Sequence, residues 1–188
     1  MAIDQKAGLQ FPLNALFGNT KVCIVEPYIL DVHPPIDTNR LALSMMLQAA
    51  DKNIDDAFIV GFLPLIGKFE DSYTQTKPNS IELPEFLKND VWLKDSLVPN
   101  LEFIHDRIDA WKPEVIICVG KAATWAVTLL SVKNISTCYG TEYSKAYKKS
   151  TATVYAIPDM FYFMNSSLKS EESKRKCVEW LKTVNFKG

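Results

Sequence analysis

The sequence predicts an α/β fold, a three-layer sandwich in which helices cover both faces of a four-stranded parallel sheet. Three observations predict it. Four short runs of residues are apolar at consecutive positions rather than at alternate ones, so each needs cover on both faces. Segments with the 3.6-residue spacing of amphipathic helices separate these runs. Each run is followed by glycine or proline, which places four breakpoints along one carboxyl edge of the sheet, the edge where open parallel sheets bind ligands.

Taken in order, the first strand is residues 21–25, stopped by Glu26 and Pro27. A helix follows over about 38–52, with Leu43, Met46, Leu47 and Ala50 on one face and Asp37 or Thr38 as its cap. The second strand is 57–60, ending at Gly61 and Pro64. The polar, proline-bearing stretch 67–95 reads as a long excursion with at most short structure. Leu101, Ile104, Ile108 and Trp111 mark a helix that runs into Pro113. The third strand is 115–119, stopped by Gly120, and a helix follows at once over 121–131. The fourth strand is 153–157, stopped by Pro158, and the last helix covers 167–184. With 188 residues and no internal repeat, residues 1–188 are expected to form a single domain.

Composition excludes several classes. Lys and Arg number 21 against 22 Asp and Glu, a net charge of −1, so whole-protein attraction to nucleic acid is excluded and only a local basic face remains. Seven glycines are too few for a chain built around glycine-rich phosphate loops. Cys23, Cys118, Cys138 and Cys177 form no Cys-x-x-Cys pair, and Cys23 and Cys118 lie inside strands, so buried free thiols are expected rather than disulfides or a metal site. No cofactor is called for. No apolar run reaches the ~18 residues of a membrane span, and residues 1–17 lack a basic flank ahead of an apolar core. A cytoplasmic protein without membrane contact is the expectation.

The spacing of elements over residues 21–182 resembles the uracil-DNA glycosylase superfamily. Residues 112–123, Lys-Pro-Glu-Val-Ile-Ile-Cys-Val-Gly-Lys-Ala-Ala, are similar to that family's third strand and following helix. Residues 22–28 are similar to its first motif, in which an acidic residue, a proline and a tyrosine follow the first strand. Residues 57–64 match its second strand, and 158–167 fall where its second signature motif lies. Three departures stand out. Val25 or Ile24 occupies the place of the motif's usual glycine, Gly61 the place of the base-reading asparagine, and 157–163 contain no histidine. The four-cysteine spacing of the family's iron–sulfur branches is also missing.

The resemblance implies roles residue by residue. Glu26 takes the acidic position, where a carboxylate would stabilise an oxocarbenium ion and position water; otherwise it is a solvated or capping glutamate. Asp31 and His33 are the only other acid and imidazole near that position, and His33 either replaces the missing histidine or is a loop residue beside Pro34. Tyr28, Gly61 and Phe62 would line the base pocket, with Tyr28 otherwise an aromatic packing residue and Gly61 either widening the pocket or abolishing base recognition. Gly120 and Lys121 open a helix at the binding edge, where backbone N–H groups and the helix dipole suit a phosphate. Lys145, Lys148 and Lys149 form a basic loop, and 174–176 a second basic run that Glu171 and Glu172 partly neutralise; each cluster is either a DNA contact or a solvated face. Residues 161–164, with Phe161 and Tyr162 first, fall where the family inserts an apolar side chain into the duplex, and each of the four otherwise packs into the core; Asn165 is a phosphate contact or helix cap. His105 reads as structural.

Three functions compete. The first is a catalytically degenerate DNA-binding protein acting as an accessory or regulatory factor in replication or repair. The second is an active DNA N-glycosidase for a base other than plain uracil, using Glu26 with Asp31 or His33. The third is a protein-interaction module that uses the 67–95 excursion, with Phe69, Tyr73, Phe86 and Trp92 as contact residues.

Overall fold

A computed structural model describes residues 20–29, 38–64, 73–75, 86, 91–130, 135, 138–143, 151–164 and 167–187. Along the chain run β1 (Val22–Ile29), α1 (Thr38–Ala49), β2 (Ala57–Pro64), β3 (Tyr73–Thr74), β4 (Trp92–Leu93), α2 (Val98–Trp111), β5 (Val115–Val119), α3 (Gly120–Thr128), β6 (Thr141–Glu142), β7 (Thr153–Ile157), α4 (Met160–Met164) and α5 (Leu168–Thr183). The four apolar runs pair in parallel in the order β2–β1–β5–β7, as their two-sided hydrophobicity requires. A short antiparallel strand, β6, is added beside β7, and β3 and β4 form a separate two-stranded ribbon. Neither had a periodic signal in the sequence, since each strand is two residues long.

Alternate residues of one strand serve opposite cores. Cys23, Val25, Phe58, Val60 and Phe62 face Leu101, Ile104 and Ile108 of α2 and Trp125 of α3. Val22, Ile24, Ile59, Ile117 and Ile157 face Leu43, Met46 and Leu47 of α1, Met160 and Phe163 of α4, and Cys177 and Leu181 of α5. These are the two outer layers. Helix α1, which follows β1, therefore lies on the face opposite α3, which follows β5. Since β1 and β5 are neighbours, their carboxyl ends form the topological switch point at which open α/β sheets leave a crevice.

Two strands overrun their expected stops. The pairing of β1 with β5 ends at Val25 and Cys118, because the chain turns into α3 at Gly120. Beyond that point β1 has β2 alone as a neighbour in the sheet, so the missing N–H of Pro27 is tolerated and pairing continues through Tyr28–Leu63 to Ile29–Pro64. Helix α2 ends as its sequence implies. Lys112 adopts the left-handed conformation (φ 51°), its N–H bonds the Ile108 carbonyl, and Pro113 cannot continue the helix. Helix α3 stops at Thr128, three residues short of expectation, with Leu129 left-handed (φ 55°) and its N–H on Trp125.

Phe86, read from the sequence as a contact residue of the excursion, is instead wholly buried. Its ring lies 6.1 Å from Phe62 and 5.0 Å from Trp125, centroid to centroid, and its N–H bonds the Val91 carbonyl. An aromatic ring inside a polar stretch reads as exposed, but the apolar surface left open by α2 and α3 claims it. Tyr73 and Trp92 are half-buried, and Phe69 lies outside the described residues.

Candidate functional site

Glu26 sits at the carboxyl end of β1, opposite Gly61 of β2 and one residue past the last β1–β5 pair. Strand alternation turns it toward the α1 face, where it is buried. A buried carboxylate is costly without a partner, and α1 supplies one. Arg40, in the first turn of α1, donates from Nε to Oε1 at 2.8 Å and to Oε2 at 3.1 Å, and its Nη2 donates to Oε2. The pairing spans 14 residues and fastens the start of α1 to the end of β1. Gly61 shares the Glu26 face and adds no side chain beside the carboxylate.

The neighbouring strands complete the edge. Gly120 opens α3 with φ 81°, and a Cβ there would lie 3.0 Å from the Asp159 Cβ, so both backbone conformation and close approach call for glycine. Lys121 follows it and is exposed. Asp159 follows β7, and its Oδ1 accepts the Tyr162 N–H at 3.0 Å, starting α4. Glu26, Gly61, Gly120 and Lys121 are thus gathered on one edge, joined by two residues that sequence reasoning missed, Arg40 and Asp159. Arg40 was legible in one respect: it is the single charged residue in α1.

The other expected site residues divide among this edge, the opposite core and the part of the chain outside the described residues. Phe62 points to the opposite face and fills the core with Phe86 and Trp125, as adjacent residues of a strand must part. Tyr28 continues β1 in register with Leu63. Phe161 and Tyr162 lie in α4; the Tyr162 hydroxyl is 3.5 Å from Ser173 Oγ of α5 and its ring meets Phe163, so it is tied to the body of the protein. Asp31, His33, Lys145, Lys148, Lys149 and Asn165 lie outside the described residues, as does the expected cap Asp37.

Lys174 and Lys176 of α5 pair with Glu171 (3.6 Å) and Glu172 (2.7 Å), so that basic run is neutralised in part on its own helix, while Arg175 makes no ion pair among the described residues. Lys121 makes no ion pair among the described residues. His105 bridges α2 and α3, its Nε2 2.7 Å from the Ala126 carbonyl, as a structural histidine would. The four cysteines are free and buried. Burial pushes the Cys23 and Cys118 thiols far up, Cys118 further through its neighbour Cys23, so neither is a nucleophile at neutral pH. Burial, then the contact with Cys138, pushes the Tyr143 hydroxyl up to about 12. Among the described residues, no cluster of three His, Cys, Asp or Glu side chains could hold a metal ion, and no helix is long and apolar enough to cross a membrane. Comparison of the sequence with protein-family models and with curated proteins returns no match.

Proposed function

We propose that this chain is a catalytically degenerate relative of the uracil-DNA glycosylases that binds DNA at the carboxyl edge of its sheet, as an accessory or regulatory factor in replication or repair. The observation that carries the reading is the Glu26–Arg40 pair. A carboxylate that stabilises a developing oxocarbenium ion acts through its uncompensated negative charge. Here a guanidinium at hydrogen-bond distance already balances that charge, and the carboxylate is buried. Gly61 offers no side-chain donor to a base edge, which removes the means of discrimination that a polar pocket residue gives. Binding without excision is what remains to such an edge. Lys121 at the start of α3 supports a phosphate contact there, since a cation stands in the first turn of a helix whose N-cap, Val119, makes no side-chain cap hydrogen bond.

The test is incubation of the purified protein with single- and double-stranded oligonucleotides carrying normal, uracil and modified bases. Mobility shift and alkali-revealed strand cleavage are read on the same samples. The reading expects a salt-sensitive shift, weakened in Lys121→Glu, and no cleavage at any base. Cleavage that disappears in Glu26→Gln would make the protein an altered glycosidase. No shift on any oligonucleotide would remove DNA binding altogether.

A further inference from the structure

We propose that Arg40 is the residue through which this edge holds a nucleic-acid phosphate, and that Glu26 is the brace that fixes its guanidinium for that task. This rests on the DNA-binding reading and names the side chain that carries it. A guanidinium has five N–H donors. Those of Nε and one of Nη2 go to Glu26. The other Nη2 donor and both on Nη1 have no acceptor among the described residues. No nitrogen of Arg40 is both buried and unpartnered, and 22% of the side chain is exposed, so the uncommitted edge of the fork meets solvent. Two or three parallel donors in a fixed plane are what a phosphate takes.

The setting argues against a merely structural pair. Arg40 lies in the first turn of α1, where a cation opposes the helix dipole and an acid would favour the helix. It is the helix's only charge, so local helix stability does not account for it. As a stabilising device a buried ion pair is no better than a well-packed apolar pair. As a holding device it is effective, because a bidentate carboxylate freezes a long side chain in one rotamer. The pair stands at the switch point between β1 and β5, beside a glycine and across from the start of α3. Sequence violations of local rules concentrate where a site is built. The pair is neutral as a unit, so it holds a phosphate by oriented hydrogen bonds, in keeping with a protein of net charge −1.

The experiment is anisotropy titration of fluorescein-labelled single-stranded and duplex oligonucleotides with wild type, Arg40→Lys and the double variant Glu26→Gln/Arg40→Gln. Both variants keep the net charge of the wild-type pair, so a lost affinity reports the lost fork and not lost attraction. The double variant also leaves no buried charge unpaired, so it decides the question if Arg40→Lys folds poorly. Melting is followed on the same samples. The proposal expects about tenfold weaker binding in the double variant with its fold retained, and a loss of about fivefold or more in Arg40→Lys, the size of one charged, oriented contact. Wild-type affinity in the folded double variant overturns the role of Arg40 and leaves DNA binding standing. No binding by wild type to any oligonucleotide overturns both.

Discussion

Helices α1 and α5 lie on the same face of the sheet and share one apolar core, yet their outer surfaces follow opposite rules. Helix α5 obeys every local preference. Ser167 Oγ caps it by accepting the Ser170 N–H at 3.2 Å, Glu171 stands in its first turn and Lys182 in its last, and three lysine–glutamate pairs line its exposed side. Helix α1 has one charge, placed against its dipole and joined to Glu26 on a strand, and its outer face shows Leu41 and Met45 at 51% and 61% exposure. One helix is written to be a helix in water. The other is written for what its first turn holds at the edge of the sheet.

The contrast can be broken in graded ways. The largest effect expected is at high pH, through the inner side of α5. Burial pushes the Cys177 thiol from its ordinary 9.0 up to about 12, so folding favours the protonated thiol. Its contribution is fully present below about pH 9 and is lost as pH rises toward 12. Denaturant midpoints should fall across that window, with the buried Cys23 and Cys118 thiols adding to the fall, and Cys177→Ala should lessen it by one thiol's share. Next comes Glu26→Ala, which strands the Arg40 charge and should cost about 3–5 kcal/mol. Glu26→Gln/Arg40→Gln should recover most of that loss in the same urea titration. If the double variant stays as unstable as Glu26→Ala, the pair is chiefly a stabilising device and the reading of α1 fails.

Gly140→Ala should cost about 3 kcal/mol. Its φ is 77°, and an added Cβ would come within 2.3 Å of the Trp180 ring, which anchors α5 beside Tyr155. Ser167→Ala should cost about 1 kcal/mol, the worth of one N-cap. Exchanging the partners Glu172 and Lys176 on the exposed side should leave the melting temperature unchanged within error, since such pairs contribute little in water.

What the sequence disclosed follows the same division. The strands and α5 were legible, because two-sided apolar runs and helical periodicity are local and repeat over many residues. The extension of β1 past Pro27 was not, because it depends on β5 having ended on one side while β2 continues on the other. Phe86 was misplaced, since its burial is set by rings on β2 and α3 far along the chain. Of the expected site residues, Glu26, Gly61, Gly120 and Lys121 lie together at the carboxyl ends of their strands, a placement that the strand breakpoints in the sequence imply. Arg40 was not found: a partner 14 residues away on another element leaves no periodic trace. The basic run on α5 reads as partly neutralising itself, and Lys176 and Lys174 do pair at 2.7 Å and 3.6 Å while Arg175 makes no ion pair among the described residues.

Hydrogen exchange with and without a saturating oligonucleotide tests the central claim most directly. The account predicts slowed exchange in peptides that cover the first turns of α1 and α3, around Arg40 and Lys121, and no change across α5. Protection of α5 with the two first turns unaffected would contradict it, and would move the proposed DNA-binding surface to the helix that carries Lys169 and Arg175.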